Sequence, residues 1–182
     1  MNKIMKYVSY LFSFILFTFM SCQPVENQKA AIVTPNMEFG GWSGTADDHS
    51  KEALLTRELM EKYIANKFDD VAYMMSDSGN FFFNTEKVTK AEWLGAASGH
   101  HSLFTNISNS KIQPANVTSA TFENGSVWSL AWFIWTGTGK FTGTEVQINV
   151  HHAFRFKDEK IVDAYHFFDP TLLNNEILAS SK

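Results

Sequence analysis

The chain has 182 residues, of which 45% are apolar and 15% aromatic, including 17 Phe and 5 Trp, enough material for one folded core and too much for a disordered chain. Setting aside Lys3 and Lys6 with the first 22 residues leaves 13 of the 15 basic residues against 19 acidic ones, a net charge of −6 with no basic stripe, which excludes a nucleic-acid partner. Cys22 is the sole cysteine, so the domain after it has no disulfide, thiolate metal cluster or cysteine nucleophile.

Lys3 and Lys6 precede an apolar run from Tyr7 to Met20, and Ser21-Cys22 follows. This is the plan of a signal peptide, with a run too short for the ~20 residues of a membrane-spanning helix. Phe19-Met20-Ser21-Cys22 resembles the lipobox of bacterial lipoproteins, with Phe19 where Leu is usual. That resemblance implies cleavage after residue 21, lipidation of Cys22, and an exported chain held in the cell envelope by its lipid, on the periplasmic face or in the outer membrane. Residues 22–44, with Pro24, Pro35 and Gly40-Gly41, read as a tether, and 45–182 as the folded domain.

Within that domain Thr45 and Asp48 are cap candidates for a helix whose Leu55, Leu59 and Tyr63 recur on one face. Phe68, Val71, Met74 and Met75 predict a second, shorter helix with Asp69 and Asp70 in its first turn. Ser76 to Gly79 reads as a turn, Asn80 to Asn84 as a short buried strand, and Thr89-Lys-Ala-Glu92 as a capping box opening a third helix that bears Trp93 and ends before Gly99-His100-His101. Everything after it reads as strand: 111–122, 127–136, 144–157 and 160–168, rich in Val, Ile, Thr and aromatics. Helices first and strands afterwards predict an α+β antiparallel sheet covered on one face.

Between Val146 and Phe156, alternation puts His152 on the apolar face and Asn149, His151 and Arg155 on the polar one. A three-residue loop at 157–159 would put His166 on the same face as His152, and a two-residue loop would reverse it, so the register stays open. Asp169 stands at the end of the last strand, and a carboxylate beside two histidines suits proton transfer near neutral pH. His152, His166 and Asp169 lack tight ligand spacing, and no Gly-rich phosphate loop is present, so neither a metal nor a cofactor is expected. Trp93, Trp132 and Trp135 with Phe83 and Phe168 are candidates for an aromatic pocket lining, or for plain core.

The order of elements, and the stretch from Val150 through His152, Phe156, Lys157-Asp-Glu-Lys160 and His166 to Phe168-Asp169-Pro170, resemble the NTF2-like superfamily, SnoaL-like branch, over about Lys51 to Leu178. The resemblance implies a cone-shaped, cystatin-like fold: a curved antiparallel sheet closed by three N-terminal helices around an apolar cavity, with dimerisation through the sheet. It places Tyr63 at the oxyanion-stabilising tyrosine of ketosteroid isomerases and His152 where their second oxyanion donor lies. Phe83 stands near the position of their general-base aspartate and cannot abstract a proton, which rules out the isomerase reaction as that family runs it. Asp169 with His152 and His166 is the nearest match to the acidic group of SnoaL-type cyclases.

Two readings follow. In one, the domain binds a small hydrophobic or aromatic molecule among Tyr63, Trp93, Trp132, Trp135, Phe83, Phe168, His152 and His166, with acid/base chemistry of the isomerase, cyclase or dehydratase kind through His152, His166, Asp169 and Tyr63. In the other, it is a non-catalytic homodimeric binding or assembly module that meets the membrane only through its lipid.

Overall fold

The computed structural model describes residues 40–182, so the signal-peptide reading, Cys22 and most of the predicted tether lie outside the described residues. The chain enters at Gly40-Gly41. Trp42 packs against Phe122 and Trp128 at ring-centroid distances of 5.1 and 6.3 Å. Strand β1 (Gly44–Asp47) then pairs antiparallel with residues 119–122. Residues 40–44, read as tether, thus pack on the sheet. Thr45 lies in β1 rather than at a helix cap.

Helix α1 (Lys51–Ile64) is capped by Ser50, whose side chain accepts from the Ala53 N–H. It buries Ala53, Thr56, Leu59 and Met60. The second predicted helix is a 3₁₀ segment (Phe68–Met74) that buries Phe68, Val71 and Met74. It runs directly into β2 (Met75–Phe83), so Ser76 to Gly79 is strand and not turn. A tight turn leads to β3 (Glu86–Val88). Helix α2 (Lys90–Leu103) opens on the expected capping box, with Thr89 and Glu92 bonding reciprocally. It continues through Gly99, His100 and His101, where the sequence suggested its end.

Strand β4 (Phe104–Asn109) follows, then β5 (Asn116–Phe122), β6 (Val127–Gly139), β7 (Glu145–Lys157), β8 (Lys160–Phe168) and a C-terminal helix α3 (Thr171–Ser180). The four late strands are those the sequence predicted, whereas β1, β3, β4 and α3 were not anticipated. The helices are therefore not all N-terminal. Among the described residues two α-helices and the 3₁₀ segment precede the late strands and one α-helix closes the chain. The sheet is curved and open, in the order β1-β5-β6-β7-β8-β2-β3, with β4 on the far half of β6. It is not wholly antiparallel, because β2 lies parallel to β8. No turn joins those two strands, so nothing local in the sequence fixes their direction.

The β7–β8 turn settles the open register. Asp158 and Glu159 form a two-residue loop, both at positive φ (50° and 62°). Beyond it Phe156 faces Ile161 while Arg155 faces Asp163, so Val162 is an extra residue, a bulge. A two-residue loop alone would have placed His166 opposite to His152. The bulge shifts the phase by one, and His152 and His166 are directly paired on the inner face.

Two apolar clusters form the core. One joins Leu59, Phe68, Met74, Phe81, Trp93, Phe154 and Ile161; the other joins Met60, Phe104, Phe133, Trp135, Ile148 and Leu173, and Tyr63 touches both. Helix α3 is anchored by Glu176, 2% exposed, which accepts from the Phe141 N–H at 2.5 Å and the Thr142 hydroxyl at 2.6 Å. Burial raises the Glu176 pKa, but the Thr142 hydroxyl and the two backbone N–H groups outweigh it and hold the carboxyl below its usual range. Gly139 permits this approach, since a Cβ there would run into the Glu176 carboxylate and the Thr142 hydroxyl. Gly139→Ala is expected to cost about 1–3 kcal/mol by overpacking, read as a lower thermal midpoint with residues 139–144 and α3 losing hydrogen-exchange protection first. An unchanged midpoint would remove Glu176 as the anchor.

Candidate functional site

Between the two clusters lies a cavity of about 80 Å³. Helix α1 contributes Leu59, Met60 and Tyr63, and α2 contributes Trp93, Ala97 and His100. The sheet contributes Phe83, Asn109, Phe133, Trp135, Ile148, Val150, His152, His166 and Phe168, and α3 closes it with Leu173. The helical spacing of Leu59 and Tyr63 and the strand alternation of Ile148, Val150 and His152 put these side chains on the faces that meet.

Its polar groups fall into two sets. Trp135 Nε1–H donates to the Tyr63 hydroxyl at 2.8 Å, and that hydroxyl lies 2.9 Å from His100 Nδ1. The indole can only donate, so among the described residues His100 Nδ1 is the acceptor within reach of the phenol proton, which assigns His100 the neutral Nε2–H tautomer. Burial raises the Tyr63 pKa, and burial followed by the neighbouring His101 lowers that of His100 to about 4. His101 Nε2–H donates to the Tyr63 backbone carbonyl at 2.7 Å, which ties the end of α2 to α1.

The second set is the pair His152–His166, whose rings stack with centroids 3.7 Å apart at 17°. Phe133 and Trp93 stand edge-on to them, at 4.9 Å each. Nδ1 of His152 and Nε2 of His166 are buried without a hydrogen-bond partner, as is Trp93 Nε1. Burial first, then the charge of His151, lowers the His152 pKa to about 3. Burial, then His152 and His100, holds His166 well below the ordinary value. Both rings are neutral at pH 7, and each has one N–H to donate and one nitrogen to accept with.

Of the candidates read from the sequence, Tyr63, Trp93, Trp135, Phe83, Phe168, His152 and His166 come together at this cavity. Asp169 does not. It is exposed and accepts from the Thr171 N–H at 2.9 Å, so it sets the start of α3 and orients no histidine. Trp132 is 46% exposed on the opposite face, where it stacks on His151 at 5.0 Å, because alternation along β6 sends it away from Ala131 and Phe133. His100 was missed as a site residue because the Gly99-His100-His101 stretch read as a helix end. Only the continuation of α2 by one turn aims it at Tyr63. No helix among the described residues is long and apolar enough to cross a membrane.

No protein-family model matches the chain, and no curated protein matches it in sequence. Solved structures do match in fold, and the class they define is the NTF2-like fold of SnoaL-like polyketide cyclases and isomerases. A candidate isomerase from Bacillus subtilis superposes with a TM-score of 0.52 at 13% identity, covering 73% of this chain and 96% of its own. A candidate SnoaL-like polyketide cyclase from a Jannaschia species gives 0.52 at 16% identity, with 72% and 96% covered. IdmH, a candidate polyketide cyclase from Streptomyces antibioticus, gives 0.53 at 12% identity, with 70% and 99% covered. At such identities the likeness is one of fold.

Proposed function

We propose that this protein is an exported lipoprotein, anchored in the cell envelope through Cys22, whose NTF2-like domain holds a small, largely apolar molecule between His152, His166 and the Tyr63–His100–Trp135 chain. The observation that carries the reading is the stacked pair His152–His166 at the wall of an apolar cavity, each ring with a buried nitrogen that has no partner. Buried polar atoms without partners are costly, and a neutral imidazole in such a place is suited to meet a ligand's carbonyl or hydroxyl. Burial makes both imidazoles weak bases, so acid/base chemistry on a carbonyl compound would run through His152 or His166 only with a ligand whose bound form stabilises the imidazolium, with Tyr63 as the polarising hydroxyl once that ligand competes with His100 for its proton.

The test is native mass spectrometry of the full-length protein extracted from its own membranes, with organic extraction of whatever is bound. The expected result is a lipid-modified chain carrying a small molecule in substoichiometric or full amount. A chain without lipid on Cys22 would refute the anchor. A chain with no extractable molecule, whose histidine ring signals ignore a library of small carbonyl compounds, would refute the ligand reading.

A second reading, assembly through the sheet, draws support from the outer face. There Trp132, His151 and Phe167 stack across three strands at 5.0 and 5.9 Å, with Trp132 46% and Phe167 44% exposed. Such a contiguous aromatic row suits a protein contact. Monomeric sedimentation at high concentration would dismiss this reading.

A further inference from the structure

The cavity lining holds imidazole, phenol, indole and carboxamide groups, yet among the described residues no Asp, Glu, Lys or Arg. The ion pairs formed by the same elements lie elsewhere. Arg155 and Asp163 pair on the outer face of β7 and β8. Lys62 of α1 meets Asp70 of the 3₁₀ segment at 2.9 Å and Lys90 of α2 meets the exposed Asp77 of β2 at 2.6 Å. Glu176 is turned into the β6–β7 turn by Phe141 and Thr142.

An anion entering this space could be balanced only by an imidazolium. The candidates are His100, His152 and His166. Burial opposes the charged form of each, and the positive charge of one would further oppose that of the next. A carbonyl or hydroxyl oxygen, in contrast, can hydrogen-bond to an imidazole or to the Asn109 carboxamide with no charge to balance. The volume of about 80 Å³ is close to half that of the apolar cavity of about 150 Å³ known to take benzene, so the ligand has few heavy atoms unless the wall moves.

Resting on the ligand-cavity reading, we propose that the site selects for the absence of charge: it admits small uncharged carbonyl or hydroxyl compounds, near the size of a four-carbon ketone, and excludes carboxylates of the same shape. The selection lies in what the lining omits, since an uncompensated ionised group loses far more on leaving water than a neutral oxygen does.

The experiment compares 2-butanone with propionate, which replaces one methyl group by a charged oxygen, on the full-length chain in detergent micelles at slightly alkaline pH. Binding is followed by the indole N–H signals of Trp93 and Trp135 and the ring signals of His152 and His166. The expected result is a saturable shift of these signals with butanone and binding of propionate at least about 100-fold weaker. Propionate binding within about threefold of butanone would overturn the exclusion of charge while leaving the ligand cavity standing. Silence of all four residues toward both probes would overturn the cavity reading and this inference with it.

Discussion

Lowering the pH from about 7.5 to about 4.5 is expected to remove at least about 5 kcal/mol of stability, a large share of what a single domain has to lose. The source is His100, His152 and His166. Their folded pKa values lie at about 4 for His100, about 3 for His152 and well below 6.5 for His166, whereas in the unfolded chain all three titrate near 6.5. A depressed folded pKa means that the unfolded state takes up protons first as the pH falls. The stability is therefore complete above 6.5 and drains away between 6.5 and the folded values. His100 and His152 each contribute roughly 2 to 3 kcal/mol over the two units from 6.5 to 4.5, about 5 kcal/mol together, and His166 adds a loss of the same sign. Carboxylates with lowered values, such as Asp70, Asp77 and Glu92, start from ordinary values of 3.8 to 4.5 and add their loss mainly below this window. Urea midpoints measured at half-unit intervals of pH would show the slope, and His166→Gln should flatten it. A midpoint that stays level down to about pH 4.5 would mean that the three rings are wetter than their burial implies.

Replacing Phe154 with Ala should cost about 3–5 kcal/mol, a large effect for a single substitution. Phe154 is fully buried on β7, and its ring lies 6.3 Å from Trp93, 5.2 Å from His152 and 5.9 Å from His166. Removing it deletes a core side chain and also the wall behind the histidine pair, so the new void should merge with the existing cavity of about 80 Å³. The expected readout is a fall in the thermal midpoint that benzene partly reverses, since a dry apolar hole of the larger size can take it. A destabilised variant indifferent to benzene would show that the wall collapses on the histidines. A loss below about 1 kcal/mol would show that Phe154 is not the support it is described as.

Much of the architecture was legible in one dimension, and the parts that were not share a cause. The α1 stripe, the α2 capping box and the alternation of β6 to β8 are local patterns, and local patterns survive into the fold. Ser76 to Gly79 read as a turn because Ser, Asp and Gly favour turns. Met75 pairs with Ile161 and Asn80 with Asp163, so pairing to β8 on both sides carries the strand through this irregular stretch. Strand β4 carries no β signature in Phe-Thr-Asn-Ile-Ser-Asn and exists because β6 is long enough to offer it a free half. Among site residues, strand phase placed His152 inside but could not place His166, since one bulge at Val162 decides its face.

From the sequence alone came an α+β domain with its strands late, the inward His152, the buried face of Tyr63 and the want of a cysteine or a phosphate loop, because composition and periodicity are properties of the chain itself. Only the tertiary structure decided that His166 stacks on His152, that His100 completes the chain with Tyr63 and Trp135, that Asp169 turns away to start α3, and that Trp132 faces out. Those outcomes depend on a bulge, a helix end and strand pairings between residues far apart in sequence, and such long-range geometry leaves no periodic mark on the residues it brings together.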